Sequence, residues 1–148
     1  MFVDIFSGFK HAGSKTTWLT SNEKSVLIED LERSELDGSL DKGSIKSLRL
    51  LNTLPGLASA FSCVGHQERL KCGGYLVLRV SRRVAEMLDR NVVDKLWEDG
   101  LICFVSKEWQ CVSDTADQYV SRVIYTLRFP VGFMDKVCEA IYRYIKDQ

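Results

Sequence analysis

The chain has 148 residues, 45% of them hydrophobic and 27% charged, with only two prolines. That length suits one domain able to bury a core without staples, and the composition excludes long disorder, collagen-like repeats and low complexity. Twenty basic and twenty acidic residues cancel to a formal net charge of zero, which excludes a strongly basic nucleic-acid binder as a description of the whole chain and leaves room for a local basic patch.

No apolar run approaches the ~18 residues of a membrane span, and the opening MFVDIFSGFK lacks the long apolar region of a signal peptide. The expectation is a soluble cytoplasmic protein of one domain, residues 1–148, with no membrane contact. Five cysteines (Cys63, Cys72, Cys103, Cys111, Cys138) are an odd count, which argues against a fully paired secreted framework. Pairing among the four on or beside predicted strands is geometrically open and not implied.

In chain order, Phe2, Val3, Ile5, Phe6, Phe9 and Trp18 can pack, but His11 to Thr17 reads as loop. Thr20 and Glu23 form a capping-box pattern, and the helix it opens carries Val26, Leu27 and Leu31 on one side before a turn at Asp37-Gly38. Asp41 to Asn52 predicts a second helix, with Ile45, Leu48 and Leu51 at helical spacing, stopped by Leu54-Pro55-Gly56. Leu57–Cys63 and Tyr75–Ser81 read as strands, the latter with Leu76, Leu78 and Val80 on one face.

From Arg82 to Glu98 the stripe Val84, Leu88, Val92, Leu96 predicts the best helix, with Ser81 at its N-cap and Gly100 at its C-terminus. Leu101 to Cys111 predicts a strand whose apolar start suggests a central place in the sheet. Tyr119 to Phe129 alternates, with Tyr119, Val123, Tyr125, Leu127 and Phe129 inward and Arg122 and Arg128 outward. A helix from about Gly132 closes the chain, with Cys138 on its apolar stripe. Two hairpins separated by a helix imply an α+β two-layer sandwich: one mostly antiparallel or mixed sheet of about four strands, helices on one face.

The densest cluster of reactive side chains is Ser62, Cys63 and His66 around Gly65, followed by Cys72, at a strand end. Cys63 and His66 could form a thiolate nucleophile with its base. Cys63, His66 and Cys72 also supply three zinc-type ligands, but no second Cys/His pair with ligand spacing completes them, so zinc is not favoured. The plainest reading is a loop whose serine and histidine satisfy backbone groups. Charge is asymmetric as well: residues 69–90 hold six bases (Arg69, Lys71, Arg79, Arg82, Arg83, Arg90) against two acids. Arg69, Lys71, Arg82 and Arg83 are the candidate phosphate contacts of an RNA partner.

The stretch Leu40-Asp-Lys-Gly-Ser-Ile45, a helix ending in Asn52, and then Ala60-Phe-Ser-Cys-Val-Gly-His66 resembles the third-step wybutosine tRNA-modification methyltransferases over roughly residues 37 to 81. The Pro55-Gly56…Ser62-Cys63-x-Gly65-His66 form also looks like small uncharacterised phage and archaeal proteins. The resemblance implies an α/β fold and S-adenosylmethionine-dependent methyl transfer to tRNA. It carries cofactor-binding roles to Lys42, Ser44, Asn52 and Gly65, and catalytic roles to Ser62 and Cys63, which His66 joins as the base read from its place beside Cys63. Where the family has an arginine after the glycine this chain has His66, and its first motif serine is Phe61. The competing expectation is a non-enzymatic interaction protein of phage or viral type that keeps the scaffold without the chemistry, with a homodimer through an exposed strand.

Overall fold

The computed structural model describes residues 15–41, 43–63, 65, 73–115 and 118–148. The elements are β1 (Lys15–Thr17), α1 (Ser21–Leu36), α2 (Ile45–Asn52), β2 (Leu57–Cys63), β3 (Gly74–Val80), a long helix α3, β4 (Phe104–Thr115), β5 (Gln118–Phe129) and α4 (Met134–Lys146). Helix α3 is continuous: Arg82–Met87, a π-helical turn at Leu88–Val92, then Val93–Glu98. The fold is α+β, with an antiparallel sheet ordered β2-β3-β5-β4 and a short β1 parallel to the first half of β5.

Strand alternation assigns the two faces of the sheet. Leu76, Leu78 and Val80 on β3 and Val123, Tyr125, Leu127 and Phe129 on β5 are buried together with Leu48, Leu51, Val84, Leu88, Val92, Leu96, Val137 and Ile141 from α2, α3 and α4. Each such side chain contributes about 1.5–3 kcal/mol on burial. The α3 stripe explains the π turn. Residues exactly four apart drift by about 40° per step on a regular helix of 3.6 residues per turn. Widening one turn, seen as the Val93 N–H bonding back to the Leu88 carbonyl, returns Val92 and Leu96 to the core side. The helix ends in a Schellman motif on Gly100 (φ +70°), with Leu101 N–H bonding the Leu96 carbonyl at 2.9 Å and Gly100 N–H bonding that of Trp97 at 3.0 Å.

Five expectations are corrected by the structure. Lys15–Thr17 is a strand rather than loop, because three residues are too few to show alternation but suffice to pair with Val120–Arg122. β4 pairs only with β5 among the described strands, so it is an edge strand and β5 takes the central place. The apolar Leu101 and Ile102 precede β4 and join the end of α3 to the sheet, with Ile102 buried. On α1, Val26 is 54% exposed while Leu31 is buried, so the buried stripe does not include Val26. The second helix also starts later than predicted, at Ile45.

Cys138 packs in the core beside Met134, and burial, with Asp135 and Glu139 nearby, pushes its thiol up to about 12. A group so rarely ionised is a poor nucleophile. In the native protein Cys138 therefore stays unmodified by iodoacetamide at pH 8 and reacts only in denaturant; peptide mass mapping reads the difference.

Arg79 is the largest exception to an apolar interior, only 3% exposed. Its Nε and Nη2 donate to the two Glu23 carboxylate oxygens at 2.7 and 2.8 Å, and Nη1 donates to the Val123 carbonyl at 2.7 Å. Thr20 caps α1 through the Glu23 N–H at 3.1 Å, so the Glu23 backbone holds the cap while its side chain binds the arginine. Replacing one member of a buried pair strands the other, at a cost of about 3–5 kcal/mol. Arg79→Met should thus lower stability steeply in urea, and the double replacement Arg79→Met/Glu23→Leu should recover much of the loss.

Candidate nucleic-acid interface

The residues singled out in the sequence separate in space. Ser62 is half-buried near the end of β2, where it lines a cleft of about 160 Å³ with Asp30, Leu31 and Ser34 of α1. Cys63 is the last residue of β2, opposite Tyr75 in register. His66, Arg69, Lys71, Cys72 and Lys42 lie outside the described residues. Arg82 and Arg83 begin α3, past the opposite end of β3 from the Ser62–Leu76 pair, and Arg82 sits 3.7 Å from Glu86. Arg79, counted with the basic patch, is committed to Glu23 and cannot meet a phosphate.

The residues given cofactor roles by resemblance have structural partners. Ser44 is buried and its hydroxyl donates to the Asp41 carbonyl at 2.7 Å. Asn52 is buried at the end of α2: its Oδ1 accepts from the Ser59 N–H at 2.9 Å and its Nδ2 donates to the Ser59 hydroxyl at 3.0 Å. This bracket sits where β2 is bulged, between Ser59 and Phe61, and satisfies an edge-strand N–H inside the protein. Gly65 has φ +92° and is buried; a Cβ there would stand 2.9 Å from the Gly74 nitrogen and 2.9 Å from Val131 Cγ2. Among the described residues, no group of three or more His, Cys, Asp or Glu is placed to hold a metal, and no helix is long and apolar enough to cross a membrane. Cys103 is disulfide-bonded, with its partner outside the described cysteine side chains.

The sheet face turned away from the core carries a feature that the sequence did not single out. Across β3, β5 and β4, Tyr75, Arg128 and Phe104 stand directly opposite one another in one row. The Arg128 guanidinium lies 5.6 Å from the Tyr75 ring centroid, and Phe104 is 55% exposed. The next row is Val77, Thr126 and Ser106, and Arg122 is exposed farther along β5. With strands about 4.8 Å apart, Tyr75 and Phe104 stand about 10 Å from each other with a cation between them. A half-buried Tyr75 and an exposed Phe104 on a sheet, flanked by arginine, form a surface on which unpaired bases stack. Among the described side chains of this face, the exposed acid is Glu108, opposite Ile124. The outward alternation of Arg122 and Arg128 was legible, but only strand register places two aromatics beside Arg128.

The opposite face holds a second polar cluster, at the π turn of α3. The Tyr125 hydroxyl donates to Asp89 Oδ1 at 2.6 Å, and Lys107 Nζ donates to Asp89 Oδ2 at 2.8 Å while lying over the Trp109 and Tyr125 rings. Burial foremost, then the bond to Asp89 and its charge, push the Tyr125 phenol far above its ordinary value. It therefore remains a fixed proton donor to Asp89, which makes the cluster a brace between helix and sheet.

If Asn52 serves the fold as its bonds indicate, Asn52→Ala leaves the Ser59 N–H unsatisfied and costs about 1–3 kcal/mol. Urea denaturation should show that loss; an unchanged midpoint would mean the bracket is not the residue's role. Comparison of the chain with family models, with curated proteins and with solved structures finds no match in any of the three.

Proposed function

We propose that the protein binds single-stranded RNA on the open face of its sheet. The observation that carries this reading is the Tyr75–Arg128–Phe104 row: two accessible rings and a cation, fixed by strand pairing on rigid elements. A base stacked on Tyr75 meets the Arg128 guanidinium at its edge, Phe104 offers a second platform, and Arg122 is placed for a backbone phosphate. The resemblance of residues 37 to 81 to tRNA-modifying enzymes supports RNA as the partner. It lends less to methyl transfer, because Ser44 and Asn52, two of the residues it nominates for the methyl donor, are bonded within the fold. The proposed activity is therefore binding, with no chemical step assigned.

Fluorescence anisotropy with a labelled single-stranded RNA of about twelve nucleotides tests this, a length that covers the site of a small binding domain. Saturable binding should weaken with salt, by a slope of about 0.7 per phosphate contacted. Tyr75→Ala should weaken it by roughly 1–3 kcal/mol, about 5- to 150-fold. Arg128→Ala should weaken it and flatten the salt dependence, whereas Lys136→Ala on α4 should change neither. No saturable binding at low salt, or parental affinity in both Tyr75→Ala and Arg128→Ala, would sink the reading.

A further inference from the structure

On the helical side, away from the sheet face, a groove of about 690 Å³ opens between the turn joining α2 to β2, the first turns of α3 and the end of α4. Its volume falls within the roughly 300–1,000 Å³ of small-molecule sites. The floor is apolar, made by Leu54, Val84, Met87 and Ile145, and the charged side chains lining it are Arg83 and Lys146, with no aspartate or glutamate. Arg83 takes part in no ion pair among the described residues. Lys146 donates to the Tyr142 hydroxyl at 2.9 Å, which uses one of its three ammonium donors.

The wall of the groove is held before any ligand arrives. Lys24 Nζ donates to the Leu54 carbonyl at 2.5 Å, and Ser81 N–H donates to the Gly56 carbonyl at 2.7 Å. Gly56 has φ +75°, and a Cβ there would run into the Ser81 side chain, so only glycine lets the turn stand this close to α3. A wall ordered in advance spares a ligand that cost.

We infer that this groove is a binding site for a small organic carboxylate with an apolar body. The floor matches an alkyl or aryl body, and Arg83 and Lys146 match a carboxylate, which a guanidinium can take by two parallel hydrogen bonds. A neutral or cationic ligand of the same shape forms no ion pair with Arg83 or Lys146, and a polyanion such as RNA leaves the apolar floor unused. The site is independent of the sheet face.

Decanoate, below its micelle-forming concentration, is the probe, titrated into the ¹⁵N-labelled full chain and followed by amide chemical shifts. Saturable shifts should be confined to the groove, at Gly56, Ser81, Arg83, Val84, Met87 and Ile145. Decyltrimethylammonium, equal in alkyl length and opposite in charge, should bind at least about tenfold more weakly, the factor that one charge-assisted contact supplies. Arg83→Glu/Lys146→Glu changes only exposed positions, so it should keep the parental melting temperature and lose at least about tenfold in decanoate affinity. Met87→Trp, which fills the floor, should abolish the shifts; if that variant does not fold, the charge-reversed variant decides alone. Absence of saturable shifts, equal affinity for the two amphiphiles, or unchanged affinity after charge reversal each overturns the site.

Discussion

The architecture turns on one buried guanidinium. Arg79 projects from β3 on the side of the sheet opposite the main core, yet it is almost wholly enclosed. Its donors reach α1 through Glu23, β5 through the Val123 carbonyl, and β1 through the Thr17 carbonyl at 3.4 Å. No apolar side chain could join a helix N-terminus, a three-residue strand and a central strand at one point. A fork of five fixed donors can. The short parallel strand β1 has little pairing of its own, and the Thr17 hydroxyl bond to the Ser121 carbonyl at 3.2 Å adds only one more tie. The arginine makes its position specific as well as stable.

That anchor also sets how the two faces of the sheet divide their work. On the core side, apolar side chains from α2, α3 and α4 interlock with β3 and β5, and polar groups there find partners within the fold, as Asn52 does with Ser59, Ser47 with Asp135, and Tyr125 and Lys107 with Asp89. On the other side, the Arg79–Glu23 pair closes one region and leaves the Tyr75–Arg128–Phe104 row accessible in another. Rings and cations presented on paired strands lose little freedom when a partner stacks on them, which favours recognition by a preformed surface. The proposed carboxylate groove relies on the same economy of motion, with a glycine turn pinned against α3.

Much of the fold was legible because the strongest local signals agree with the tertiary structure. The Val84–Leu88–Val92–Leu96 stripe, the Ser81 cap, the Gly100 terminus and the alternation of β5 each name their own element. The failures that bear on the site concern placement, which periodicity does not encode. Leu101 and Ile102 read as the start of a central strand because buried connecting chain and buried strand are equally apolar, and only pairing tells them apart. Arg79 read as one more base of the basic stretch because its partner, Glu23, is 56 residues away in sequence. The candidate site was hidden for the same reason. Tyr75, Phe104 and Arg128 come from three strands, and nothing in their local sequence announces that they stand side by side. Ser44 and Asn52 drew attention through a motif, whereas their bonds show them holding a turn and a bulged edge together.

The Lys107–Asp89 contact has a consequence for how β4 finds its place. β4 is a twelve-residue edge strand with much polar sequence, the kind whose pairing is weakly specified by hydrophobic pattern alone. Sliding it by one residue against β5 would turn Lys107 outward and bring a neighbour, Ser106 or Glu108, beneath the π turn. Glu108 would set a second carboxylate against Asp89, and Ser106 would leave Asp89 without its cation. Either misalignment strands Asp89 beside Tyr125 without a counter-charge. The lysine thus acts as a proofreading mark on the hairpin, admitting the single alignment in which Phe104 arrives beside Arg128.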